Sequence, residues 1–202
     1  MLSSQLAAVL RRLDHPYKIQ EWVSKFTYNS GDETRSALKA FEAKKAHCFE
    51  GALLACLALE YHGEPPYMMD LRGYGDDDHV VALFKLKGKW GAISKTNTTV
   101  LDFRPAHFRD PHEVAMSYWC MYFNWRGKYA MKDFAGPIDL RKFKKFDWRY
   151  GEKDMTDLGW SFNRLKHTKL ATSSELDKLP RVPERLRQAG FLGSDMKGVR
   201  KS

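Results

Sequence analysis

The feature that most constrains this chain is a stretch at 48–62 with no polar side. Phe49, Ala52, Leu53, Ala55, Cys56, Leu57, Ala58 and Leu59 occupy every face of a helix drawn over it. A helix apolar all round has no surface to give to water and must be enclosed by other elements. Gly63 supplies its end, and Pro65-Pro66 forbids its resumption. Three shorter amphipathic helices are predicted before it. Residues 3–13 place apolar side chains at 6, 9, 10 and 13, with Ser3 or Ser4 as cap. Residues 17–26 align Ile19, Trp22, Val23 and Phe26, and residues 34–45 turn Leu38 and Phe41 inward. His15-Pro16 and the turn Asn29-Ser30-Gly31-Asp32 separate them.

After the prolines the period changes. Residues 67–71 are a short strand candidate, 73–78 a polar loop, and 79–86 and 90–95 two strands joined by a hairpin through Lys87-Gly88-Lys89. Residues 99–103 are expected to add a third strand, and 111–122 a helix. Past Trp125 the pattern weakens. Residues 128–150 mix aromatics with Lys and Arg without a sustained period. Short helices are expected at 157–165 and 183–189, and a loose basic tail from about Gly190. Helices, then a buried helix, then antiparallel strands predict an α+β fold with the sheet packed against that helix.

Composition narrows the classes. With 202 residues, 43% of them hydrophobic, the chain can bury the core of one compact domain. No apolar run approaches the roughly 20 residues of a membrane span. The N-terminus reads as the first helix and not as a signal peptide, so a cytoplasmic, reducing setting is expected. Three cysteines, Cys48, Cys56 and Cys120, form no disulfide framework, no CxxC and no zinc spacing. A cysteine that matters here matters as a thiol, and no metal or organic cofactor is called for. Residues 1–120 hold 15 Lys+Arg against 15 Asp+Glu, whereas 121–202 hold 19 against 10, which accounts for all of the +9 net charge. The expected organisation is a core at 1–125 and a basic extension at 126–202 packed on it. Within the extension, residues 141–150 interleave cations with aromatics. That composition suits contact with nucleic acid or an acidic protein. It equally suits aromatics laid on the core with their charges in water.

Two residues carry candidate chemistry. Cys48 falls in the first turn of the apolar helix, just after Lys44, Lys45 and His47. The positive end of a helix favours thiolate over thiol, so Cys48 is a candidate nucleophile. The plain alternative is a small core residue, which is how Cys56 reads in the middle of the same helix. His79 opens a strand directly after Asp76-Asp77-Asp78. A base for a thiol needs the fixed position that a strand start gives, although many histidines sit at strand ends without a role. Three consecutive carboxylates do not converge on one metal. They read as a solvated loop in which Asp78 can face a substrate or raise the pKa of His79.

The order and spacing of these residues resemble the transglutaminase-like superfamily of papain-fold cysteine enzymes. The resemblance covers residues 46–97, about a quarter of the chain. It rests on Cys48 with the following Gly51-Ala52, on the His79-Val80-Val81 strand, and on the hairpin through Gly88-Lys89-Trp90 with 11 positions from His79 to Trp90. It implies a papain-like or transglutaminase-like core and a cysteine-dependent hydrolase or acyltransferase. Such an enzyme acts on an amide or ester of a peptide or protein through a thioester, as a protease, a deamidase or a cross-linking enzyme. Cys48 would attack, His79 would carry the proton, and Trp90 beside the histidine would help to line the substrate site.

The family usually has Asp four positions after that Trp, where this chain has Ser94. A hydroxyl accepts from imidazole N–H but stabilises an imidazolium less than a carboxylate does. Asn97 offers an amide oxygen one pleat off register, and Asp102 lies further on. An oxyanion hole would need the Cys48 N–H and one upstream donor, with Gln20, Trp22 and Asn29 all open. The missing carboxylate also admits a non-catalytic binding module on the same fold.

Overall fold

The computed structural model of the chain describes residues 2–196 and 199. Helices α1 (Ser4–Leu10), α2 (Pro16–Ser24) and α3 (Ala37–Ala43) precede α4 (Cys48–Tyr61). Strands β1 (Thr27–Tyr28) and β2 (Lys45–Ala46) pair parallel beside them. Then come β3 (Tyr67–Gly73), β4 (His79–Leu86), β5 (Lys89–Ser94), β6 (Arg104–Phe108), α5 (Pro111–Trp119), β7 (Met131–Asp139), α6 (Thr156–Phe162), β8 (Thr168–Lys169), α7 (Ser173–Lys178) and α8 (Glu184–Gly190). Six strands form one antiparallel sheet in the order β6-β5-β4-β3-β7-β8, so the fold is α+β, as the sequence predicts.

The apolar helix does what its composition demands. Residues Phe49 to Leu59 of α4 are all buried, and they share one core with Leu6, Leu10, Ile19, Val23 and Trp148. One face of the sheet closes this core through Met68, Val80, Ala82, Phe84 and Ile93. The other face carries a second core against α5, built on Met69, Leu71, Val81, Leu83, Ala92, Val114 and Tyr118. Strand β4 is therefore buried on both faces up to Phe84, which explains its continuous apolar run. Two turn residues with positive φ, Lys87 (50°) and Gly88 (78°), close the β4–β5 hairpin. That conformation matches strand twist in a two-residue turn. Among the described residues, no helix is long and apolar enough to cross a membrane.

Three expectations are corrected. Residues 99–103 are not a strand; β6 starts only at Arg104. The polar groups of that stretch are used elsewhere: the Thr99 amide donates to the Gly190 carbonyl, and the Leu101 carbonyl accepts side-chain bonds. Strand β7 lies in the aperiodic 128–150 region. Register shifts against β3 between Met68 and Asp70, and between Arg72 and Gly73, break the alternation that would have announced it. The tail from Gly190 is not loose at its start, because Phe191 packs on Phe123 and Asn97 bonds both backbone groups of Asp195. Residues 197, 198 and 200–202 of that tail lie outside the described residues. The stretch 141–150 lays its aromatics on the core: Trp148 is fully buried, and Phe143, Phe146 and Tyr150 pack against the α4 core. Its Arg149 pairs with Glu60 at 2.5 and 2.6 Å.

One polar interaction sits inside the first turn of α4. Glu50 is fully buried and accepts from the His47 amide at 2.9 Å, the Arg35 amide at 2.8 Å and Asn29 Nδ2 at 3.0 Å. Together with the His47 side chain it forms a capping box, and it ties the 29–36 loop to the helix end. Next to it, a Cβ on Gly51 would lie 2.2 Å from Lys95 Cβ, so only glycine lets the end of β5 approach this turn. Glu50→Ala would take the acceptor from the part-buried His47 and Arg35 amides, each costing about 1–3 kcal/mol, while Asn29 Nδ2 keeps the Glu33 carbonyl. Urea unfolding should show a loss of about 2 kcal/mol or more, whereas Glu33→Ala, on the exposed side of the loop, should change little.

Candidate active site

A cleft of about 530 Å³ opens where the N-terminus of α4 meets the start of β4. Cys48, Asp70, His79, Tyr28, Tyr122 and Trp160 are among its lining residues, and Asp76, Asp77 and Asp78 stand along one side. Cys48 is the first residue of α4, behind the N-cap His47, and is half-buried. Its thiol donates to the Asp78 carbonyl at 3.7 Å, the peptide that leads into His79.

The sulfur's ionisation runs opposite to the expectation from the helix end. Burial pushes the Cys48 thiol up to about 12, and the charges of Asp77 and Asp70 add to this. The N–H groups of Val80 and Phe49 pull it down without reversing the balance. The electropositive surroundings read from Lys44, Lys45 and His47 do not form. Both lysines are exposed to water, and burial lowers the pKa of His47, favouring its neutral form.

His79 is buried, with its ring against Tyr118 of α5. Its Nε2 lies 2.9 Å from Ser94 Oγ and 3.1 Å from the Leu101 carbonyl. The Ser94 hydroxyl donates to that same carbonyl at 2.6 Å. A carbonyl only accepts and the serine proton is already committed, so both neighbours accept at Nε2. This bookkeeping assigns the imidazole proton to Nε2 and leaves Nδ1 as a lone-pair acceptor. Burial pushes the His79 pKa down to about 4, the Leu101 hydrogen bond opposes this, and the Arg104 charge adds to it. The resting cleft thus holds a thiol and a neutral imidazole.

Ser94 therefore reaches the histidine, at the position where the resembling family has a carboxylate. Gln20 holds Ser94 from behind: Oε1 accepts from its amide, and Nε2 donates to its carbonyl, each at 2.9 Å. Nε2 also reaches Asp102 at 3.0 Å, so Asp102 supports the site at second hand. Asn97 does not reach the histidine, because its amide is spent on the backbone of Asp195. Trp90 lies at the other end of the β4–β5 hairpin, against Tyr67 and under Lys85, and is not brought to the cleft. Asp78 is at the cleft, with Oδ1 accepting from the Gly73 amide at 2.8 Å. Of the oxyanion-hole candidates, Gln20 faces Ser94, Trp22 packs on Phe26 and Phe41, and Asn29 Nδ2 is given to Glu33 and Glu50. Among the described residues, no three His, Cys, Asp or Glu side chains come together as a metal site would need.

Sequence reasoning missed the Leu101 carbonyl, for which no sequence signal exists because any residue carries one. It also missed Asp70, which lines the cleft from β3. A lone charged residue within the apolar run 67–71 was the available signal.

The neutral His79 couples stability to pH. Its folded pKa of about 4 lies below the unfolded reference of 6.5, so its contribution is present above pH 6.5 and is lost as pH falls through 4. Asp70, held up to about 6 by burial, acts in the opposite sense: its contribution is present below 3.8 and lost as pH rises through 6. The two offset each other in the parent protein. The stability difference between the parent and His79→Gln isolates the first, and should shrink by about 3 kcal/mol between pH 7 and pH 4. Parallel denaturation curves at the two pH values check this; a constant difference would show that His79 takes up its proton in the fold as readily as in the unfolded chain.

No protein-family model matches the chain, and no curated protein matches it in sequence.

Proposed function

We propose that this protein is a cysteine-dependent hydrolase or acyltransferase of papain-like, transglutaminase-like character, acting on an amide or ester of a peptide or protein. The observation that carries the reading is the cleft that Cys48 and His79 line together. The His79 Nε2–H is held by Ser94 and Leu101, so its basic nitrogen is Nδ1, on a residue that shares a cleft with a thiol at a helix N-terminus. Cys48 attacks the substrate carbonyl, His79 Nδ1 takes the thiol proton and returns it to the leaving group, and a thioester remains for water or an amine to resolve. With the pair neutral at rest, the proton moves as the sulfur attacks and not beforehand.

A second reading keeps the cleft and drops the chemistry: a binding module on the same fold. The serine in place of a carboxylate and the high thiol pKa favour it. The two part on one experiment. The protein is incubated with activated esters and with glutamine-containing peptides, and Cys48 adducts are read by intact mass while product is followed. For an enzyme, Cys48→Ala abolishes the adduct and turnover. His79→Ala slows turnover by about 10²–10⁴-fold. Ser94→Ala costs only about tenfold, because the Leu101 carbonyl still holds Nε2. Absence of any Cys48 adduct, together with peptide binding unchanged in Cys48→Ala, supports the binding module.

A further inference from the structure

A second buried imidazole–carboxyl pair stands at the cleft. His167 Nδ1 lies 2.9 Å from the Leu165 carbonyl, and its Nε2 lies 3.4 Å from Asp70 Oδ2. Both side chains are more than nine-tenths buried, at 7% and 4% exposure. The Leu165 carbonyl can only accept, so Nδ1 carries a proton. Across the other contact, a carboxylate facing a bare Nε2 would set lone pair against lone pair. One further proton therefore lies between the two residues, either on the imidazole as an ion pair or on the carboxyl as a neutral pair.

The location of that proton gives it a role. Asp70 stands opposite Val80 in the β3–β4 ladder, and Val80 belongs to the α4 face of the sheet. Directly opposed residues share a face, so Asp70 is on the α4 side with Cys48. His79, one residue earlier in β4, rests its ring on Tyr118 of α5 and still lines the cleft. Asp70 also lines the cleft, and its charge is among those that oppose ionisation of the Cys48 sulfur. A permanent cation was close at hand in Arg72, two residues along the same strand. That guanidinium instead grips Asp133 on β7 through two 2.7 Å bonds. Asp70 is left with the His167 imidazole as its partner. The other groups around it are Asp78 before β4, Cys48 on α4, and the Tyr122 hydroxyl, which bonds the Leu71 and Asp77 carbonyls.

We propose that Asp70 and His167 are positioning residues for the Cys48 thiol: together they hold one proton at the cleft wall, and this proton keeps the neighbouring carboxyl from opposing thiolate formation. The proposal rests on the reading of Cys48 as nucleophile. While the pair keeps its proton it adds no net charge beside the sulfur. Once the proton is lost, a bare carboxylate faces the thiol and ionisation becomes harder.

Two measurements test this without any substrate. In Cys48→Ala protein, the Asp70 carboxyl carbon and the His167 ring nitrogens, followed by NMR against pH, should shift together in one shared step. In protein that retains Cys48, the rate of alkylation by iodoacetamide against pH should rise and then flatten where the pair loses its proton. Asp70→Asn, whose amide can donate permanently to Nε2, should abolish the flattening and raise the rate at pH 8 by about tenfold, one pKa unit. His167→Phe should move the break to higher pH, because His167 holds the Asp70 pKa down. Independent titration of the two residues, or an Asp70→Asn profile that superimposes on the parent, overturns the proposal. The NMR titration in folded Cys48→Ala protein decides the shared proton even where a variant is poorly stable. A protein that hydrolyses nothing yet shows the coupling fails the hydrolase reading and upholds this one. Turnover with superimposed profiles does the reverse.

Discussion

A helix with no polar face has to be walled in on every side, and the walling-in of α4 organises the rest of this protein. Helices α2 and α3, the 141–150 stretch and one face of the sheet all bury their apolar groups against it. The only part of α4 that meets polar groups in number is its first turn, where Glu50 takes three hydrogen bonds and His47 caps the end. Burial of the helix from Phe49 to Leu59 leaves only its two ends to meet polar groups, and the cleft lies at the first of them.

The same enclosure sets the character of the site. A helix N-terminus exposed to water would favour a thiolate; one packed into a protein interior, with Asp70 and Asp77 nearby, favours the thiol. The histidine is subject to the same balance. Deep burial against Tyr118 removes the solvation an imidazolium needs, and hydrogen bonds to Ser94 and Leu101 orient the ring without supplying a counter-charge. Geometry and ionisation are thus set by different residues. Ser94, Gln20 and Leu101 fix where the base points, while the low dielectric of the two cores fixes how readily it is charged.

Much of the architecture was legible in the sequence because it depends on local period. The apolar run of α4, the apolar run of β4 with its hairpin to β5, and the helix at α5 all follow from side-chain spacing within some fifteen residues. What was illegible depends on partners far along the chain. Strand β7 is hidden because its bulges answer to β3, some sixty residues earlier. The acceptor at Leu101 is a backbone group, and Asp70 acquires its meaning only when His167, 97 residues away, arrives beside it. The aromatic residues at 143, 146 and 148 look free to stack on a ligand until the α4 core claims them. Trp90 shows the same limit from the other side: spacing puts it on the strand beside the histidine, but the hairpin's length carries it to the far end.

A cleft that rests with the Cys48 thiol protonated and the His79 ring neutral constrains the chemistry proposed for it. The charged intermediates of thiol chemistry must be stabilised by what the occupant brings or displaces, since the resting walls favour the uncharged forms of both residues. Expelling water from a site of this kind strengthens each remaining electrostatic contact. The carboxylates along one side then weigh more heavily than they do in the open cleft. An occupant that brings positive charge beside Asp77 or Asp70 makes the thiolate easier to form, and one that brings negative charge makes it harder. On the proposed reading, the reactivity of Cys48 is therefore a property of the filled cleft, and the resting thiol stays protonated.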